Sequence, residues 1–233
     1  MGNFDQKVNK FIDIFWNQNG YVKVMEGLRH TLMIAVTGLI IGILIGTIIA
    51  TVRVLPKYKL LPRILNSICS FYVALFRGTP MVVQLLVFYY VLLPVIGWRI
   101  TGVQVAMLVF GLNSGAYISE IMRSGIQSVD PGQMEAGRAV GLGFGASMCR
   151  IVIPQAVKNI LPALGNEFVT VIKESSIVSV IGIADLMFRT NDVIAVTYRS
   201  LQALLIAALL YFVMTFITGR LVSLAERKMK NGR

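Results

Sequence analysis

An all-α integral membrane protein with five transmembrane helices is the fold this sequence predicts, and three observations predict it. The chain is 56% hydrophobic and 14% charged, with a mean hydropathy of +0.73. Charge-free runs long enough to cross the ~30 Å hydrocarbon core recur along it; they are continuous and rich in Leu, Ile and Ala, which favours helices over barrel strands. Basic residues cluster beside the ends of those runs, as the positive-inside rule expects of cytoplasmic segments. The excess of 22 Lys and Arg over 11 Asp and Glu is therefore a topology signal, and no nucleic-acid partner is expected.

The first 27 residues carry no apolar core of a secretory leader. Phe11, Ile12, Phe15 and Trp16 predict an interfacial helix with its aromatic groups at headgroup level. The first span is Thr31–Val52. Along it Gly38, Gly42, Gly46 and Ala50 recur every fourth residue, a small-residue stripe that reads as a helix-packing face. Arg53, Lys57, Lys59 and Arg63 follow and are placed in the cytoplasm. His30 stands at a span end, with no cluster of further ligands to make a metal site.

The next apolar stretch is too long for one straight crossing. Ile64–Phe76 is expected as an elbow leading into a second span at Gly78–Trp98. Gly78-Thr79-Pro80 marks the break, with Thr79 as N-cap and Pro80 as first helical residue. Ile100–Ser119 forms the third span. Asn113, Tyr117 and Glu120 share one of its faces at i, i+4 and i+7. Intramembrane polar groups face protein or water, so the three either line a substrate path or bond neighbouring helices, with Glu120 paired to Arg123 or Arg77.

Residues 123–167 break the membrane pattern. Asp130-Pro131-Gly132-Gln133 is a helix start, with Asp130 capping and Gln133 reaching back in a capping box. Gly141 and Gly143 are expected to end that helix in left-handed conformations, and a short second helix should run from Phe144 to about Ile151, before Pro154. The result is a helix–turn–helix that presents the small residues Ala136, Gly137 and Ala139 at its surface. Parity then requires a fourth span, placed at Phe168–Phe188, with Lys173, Glu174, Ser175, Ser176 and Ser179 as either pathway or interhelical groups. Ser200–Gly219 is the fifth span, followed by the basic tail at 227–233. The expected topology has the N-terminus outside and the C-terminus inside, with 28–226 as one transmembrane domain. Cys69 and Cys149 form no spacing motif and read as reduced cytoplasmic thiols.

The helix–turn–helix carries a recognisable spacing. Glu135, Ala136, Gly137, Gly141, Ile151, Ile153 and Pro154 match Glu-Ala-Ala-x3-Gly-x9-Ile-x-Leu-Pro, with Gly137 for the second Ala and Ile153 for Leu. This resembles the cytoplasmic "EAA" loop of ABC importer membrane subunits. GLRHTLMIAVTG at Gly27–Gly38, RGTPMVVQL at Arg77–Leu85 and KESSIVSVIG at Lys173–Gly182 resemble segments of the permeases for polar amino acids. The resemblance implies a permease subunit that docks ATPase subunits through Glu135, Ala136, Gly137, Arg138, Gly141 and Pro154. It also implies a second permease subunit, identical or paralogous, and an extracytoplasmic amino-acid-binding protein. No cofactor is expected in this chain: it has no Walker A sequence, so ATP would be bound by the partners, and no catalytic constellation is seen. Two other classes are compatible with parts of the sequence. An ion-coupled secondary transporter would use Glu120 or Glu174, although no internal repeat is apparent. A non-transporting membrane scaffold would account for the loop but not for the intramembrane polar groups.

Overall fold

The computed structural model describes residues 6, 8–9, 12–17, 20–55, 58, 60–198 and 200–231. Phe11, Lys57 and Lys59, named above as interfacial or topogenic groups, lie outside them, as do the last two residues of the basic tail. Every element among the described residues is helical. After a π-helical turn at Asp13–Asn17 come α1 (Gly20–Val54), α2 (Leu60–Gly78), α3 (Met81–Val95), α4 (Gly102–Gln127), α5 (Pro131–Ala139) and α6 (Phe144–Ser147). A π-turn at Met148–Val152 leads into α7 (Ile153–Glu174). A 3₁₀ segment at Ser175–Ile181, α8 (Leu186–Thr197) and α9 (Ser200–Asn231) complete the order. Three helices, α1, α4 and α9, are long and apolar enough to cross a membrane, and the bent pair α2–α3 makes a fourth span if counted as one.

The centre of the molecule is the seam between α1 and α4. Gly38, Gly42 and Gly46 are buried there, and a Cβ on Gly42 would stand 2.8 Å from that of Ser114. The reciprocal glycines are on α4: Gly111 and Gly115 receive Ile41 and Ile45. Glycine on both sides lets two backbones approach closely enough for dispersion contacts along the whole seam, which matters in lipid, where the hydrophobic effect does not drive helices together. Around the seam, Ile34, Leu85, Phe110, Ile172, Val178 and Leu186 form the buried core.

Several local expectations change. The elbow is longer than Ile64–Phe76 and turns by 107° into α3. Pro80, not Thr79, occupies the N-cap of α3, because proline's fixed φ suits the extended cap (φ −64°, ψ 139°). The expected fourth span at Phe168–Phe188 is not one helix. α7 ends at Glu174, the chain tightens into the 3₁₀ segment, and Gly182 at φ 76° turns it away. Pro154 does not end the second helix of the helix–turn–helix either. A proline lacks the N–H that its i−4 carbonyl needs, and the π-turn at Met148–Val152 re-spaces the ladder so that the helix continues through it. The same device, Phe88–Leu92, precedes Pro94 in α3.

Candidate functional site

Two polar regions stand out from the apolar frame: a groove between α4 and α7, and the helix pair α5–α6 below it. The groove has a volume of about 510 Å³ and is lined by Arg77, Tyr117, Glu120, Ser124, Ser128 and Asn159, among others. Its floor is organised by charge. Glu120 is paired to Arg53 at the end of α1 and to Arg123 one turn along α4, whose Nη2 donates at 2.6 Å. The Arg77 guanidinium is not a partner of Glu120; it lies 5.3 Å from the Tyr117 ring centroid, a cation–π contact. Glu120 therefore ties α1 to α4, while Arg77 and Tyr117 present their polar ends to the groove.

Asn113 sits on the same face but higher and is buried. Its Nδ2 donates to Gln84 Oε1 at 2.8 Å, and Gln84 Nε2 donates to the carbonyls of Phe76 at 2.7 Å and Thr79 at 3.0 Å and to Thr79 Oγ1 at 2.8 Å. The last carbonyls of a helix lack intrahelical donors, and leaving them bare inside a membrane protein costs several kcal/mol each. Asn113 and Gln84 meet that need at the bend, which explains RGTPMVVQL physically.

α7 contributes Asn159 and Ala163 to the opposite wall of the groove, and along this helix the sequence reading missed residues. Gln155, Asn159, Asn166 and Thr170 repeat at helical spacing along one side, in line with Lys173, which the sequence had offered, and all but the half-buried Thr170 are exposed. Glu167 and Glu174 lie at the edge of this stripe. Both carboxylates are half-buried. A helical wheel drawn over 153–174 would have revealed the stripe; treating Pro154 as a stop concealed it. Ser175, Ser176 and Ser179 donate to the carbonyls of Ile172, Lys173 and Ser176, so their hydroxyls serve the 3₁₀ segment itself.

GLRHT, at the other end of α1, is the dock for the turn before α8. His30 Nδ1 donates to the Ala184 carbonyl at 2.8 Å, Thr31 Oγ1 accepts from Leu186 N–H at 3.2 Å, and Gly27 backs onto the Asp185 carbonyl. Asp185, fully buried, caps α8 by accepting from Phe188 N–H at 2.8 Å. Glu26 and Arg189 close the contact with an ion pair at 2.5 Å.

In the cytoplasmic-type element, Asp130 caps α5 by accepting from Gly132 N–H at 2.8 Å, and Pro131 is its first residue. Gln133 does not form a capping box; its Oε1 accepts from Gln155 Nε2 at 3.2 Å, joining α5 to α7. Gly141 makes the turn at φ 88°, a left-handed conformation that glycine tolerates, whereas Gly143 is extended at φ −66° and caps α6. Gly137 is buried rather than presented: a Cβ there would meet Ile151 Cδ1 at 2.7 Å and Ser147 Oγ at 2.9 Å. Its smallness closes α5 onto the helix that follows. Glu135, Ala136, Arg138 and Ala139 remain exposed, with Val140 at 79% exposure and Phe144 beside them. Met134 and Met148 meet Val129, Val152, Ala156 and Ile160 in one small core, so the pair is fastened to the ends of α4 and α7.

A helical membrane protein with a bent half-span, a polar groove and a fastened helix pair outside the apolar frame is of the permease class. The chain belongs to the family described as binding-protein-dependent transport system inner membrane component, which matches residues 38–231. It is thus the membrane permease component of such a transport system, and the transport subunit rather than an enzyme. It is 41% identical over 208 residues to the arginine transport system permease protein ArtQ of Bacillus subtilis (strain 168), covering 89% of this chain and 93% of that one. It is 38% identical to the putative glutamine transport system permease protein GlnP of Rickettsia conorii, covering 88% and 92%. Among solved structures it resembles a chain of an amino acid ABC transporter crystallised with histidines, with a TM-score of 0.84, 41% identity and coverage of 93% and 98%. The inward-facing MetNI methionine ABC transporter shares the fold at a TM-score of 0.76 and 17% identity, covering 88% and 95%.

Proposed function

We propose that this chain is the permease subunit of an ATP-driven importer of polar amino acids. It works with ATPase subunits, a second permease subunit and an extracytoplasmic amino-acid-binding protein. The observation that carries the mechanism is the unbroken helical path from Phe144 to Glu174, which joins α6 to the polar stripe of α7. Displacement of the helix pair by a docked partner is then delivered to the groove wall as a rigid-body movement, which is the form that alternating access takes. The relatives named for arginine and glutamine transport support the substrate class.

In this reading the exposed residues Glu135, Ala136, Arg138 and Val140 meet the ATPase, while Gly137, Gly141 and Pro154 give the element its shape. Asn159, Asn166, Glu167, Thr170 and Glu174, with Tyr117 and Glu120 across from them, face the translocation path. Asn113, Ser175 and Ser176 support that wall from behind. α7, with 22 residues and a length of about 33 Å, supplies the crossing that parity demands. This gives five crossings within 28–226, with the N-terminus outside and the basic tail in the cytoplasm, in the cell membrane.

The decisive experiment is to tag the chain in its host, extract it gently and identify what accompanies it. A stoichiometric subunit bearing a Walker A motif is expected, together with uptake that stops on ATP depletion. Recovery of the chain alone, with uptake intact after ATP depletion but abolished by uncouplers, would replace this reading with an ion-coupled carrier. Glu135→Arg and Gly141→Val should abolish uptake while the protein stays in the membrane, and normal uptake by both would remove the docking role.

A further inference from the structure

A second groove lies on the other side of α7. It holds about 270 Å³ between the ends of α1 and α4 and the start of α7, with Met122, Ile126, Val157, Ile160 and Leu164 among its walls. Its hydroxyls are spent: Thr47 Oγ1 donates to the Ile43 carbonyl at 2.6 Å and Thr51 Oγ1 to the Thr47 carbonyl at 2.8 Å. What the groove offers is methyl and methylene surface. Val157 is 43% exposed and Ile153 38% exposed at its open side. On the α7 wheel these residues stand roughly 140–180° from the Gln155–Asn159–Asn166 stripe. If the stripe faces the path, the groove faces lipid, and in that one respect the inference rests on the transport reading above.

The end of the groove is basic. Arg150 lies one turn before Ile153, is exposed, and pairs with no carboxylate among the described residues. Lys158, next to Val157, is also exposed. Arg53 and Arg123, nearby on α1 and α4, share the single carboxylate of Glu120, which leaves a net positive field at this end. An apolar channel sized for part of an alkyl chain, flanked at the start of α7 by cations that pair with no carboxylate among the described residues, has the complementarity of a phospholipid with an anionic headgroup. The geometry points to a seat for one anionic phospholipid of the adjoining leaflet, its acyl chain along Ile160 and Leu164 and its phosphate at Arg150.

The test is to purify the intact transporter in mild detergent from membranes made of phosphatidylglycerol and phosphatidylcholine, and to weigh the retained lipid by native mass spectrometry. Wild type should retain phosphatidylglycerol about fivefold above its share of the membrane, the worth of about one basic residue near an anionic surface. Arg150→Gln should bring that ratio to the membrane value. Val157→Trp, at an exposed position where folding is not at stake, should expel lipid of either kind. Equal retention of the two lipids by wild type, or an unchanged ratio in Arg150→Gln, would overturn the proposal. So would a crosslink from Val157→Cys to a second copy of the chain rather than to lipid. The readout does not involve uptake, so a failure here leaves the transport reading standing.

Discussion

The two faces of α4 put opposite chemistry on one helix. Toward α1 it presents Gly111 and Gly115, with Ile118 over Gly46, in a seam where each glycine is covered by a side chain of the other helix and has no room for a Cβ of its own. Toward α2 and α7 it presents Asn113, Tyr117, Glu120, Ser124 and Ser128, three of them paired across to other helices (Asn113 to Gln84, Glu120 to Arg53, Ser128 to Asn159), and all but Asn113 line a groove of about 510 Å³. The seam is close and leaves no room for an added Cβ; the groove is wide and lined by polar groups. Stability in a membrane comes from the first kind of contact, because van der Waals packing is the main attraction left between helices in lipid. Function needs the second, because polar groups in the membrane must find water or a solute.

The difference can be broken or sharpened by substitution. Gly42→Leu should do the most damage, since a Cβ alone already meets Ser114 Cβ at 2.8 Å and Gly115 N at 3.2 Å. Overpacking of this kind costs about 1–3 kcal/mol or more, and the expected result is loss of monodisperse protein on size exclusion. Undiminished yield and melting temperature would mean that the seam separates easily. Next comes Asn113→Ala, which leaves the buried Gln84 Oε1 unsatisfied at the α2–α3 bend. A loss of about 1–3 kcal/mol is expected, read as a lower thermal midpoint, with Asn113→Gln restoring only part of it.

On the groove side the ordering reverses: stability should hold and transport should fail. Asn166→Leu places an alkyl group on the exposed stripe of α7. Protein yield should match wild type while uptake falls about tenfold or more; normal uptake would take the stripe out of the pathway. Glu120→Gln is the mildest. Glutamine keeps an acceptor for Arg53 and Arg123, and the pair borders an open polar groove that can take up the change, so the loss should be about 1 kcal/mol. A change in melting temperature as large as that of Asn113→Ala would show that the Arg53 link carries more of the fold than its place at the groove suggests.

How much of this could be read in advance differs between the same two regions. Half of the seam was visible as Gly38, Gly42 and Gly46, because a four-residue period of small residues has one physical use in a membrane helix. Its other half, Gly111 and Gly115, was overshadowed by Asn113 and Glu120 on the same segment. The α5 cap at Asp130 and the turn at Gly141 were legible from local chemistry. Gly143, Gln133 and Pro154 were not, since a π-turn and a partner across the turn decided their conformations. The polar stripe of α7 went unread for the same reason: a proline taken as an end hid the helix that follows it.

By itself the sequence determined the solvent, the helical class, the breaks at Gly78–Pro80 and Gly141, and the family. These follow from composition, period and backbone restriction, all of which act within a few residues. Only the tertiary structure decided that Glu120 pairs with Arg53 rather than Arg77, that Asn113 and Gln84 complete the bend, and that Gly137 is buried. Each of those depends on which distant groups are brought within hydrogen-bond or van der Waals reach. Local rules set the helices, and the close approach of α1 and α4 set which side chains were left to meet each other.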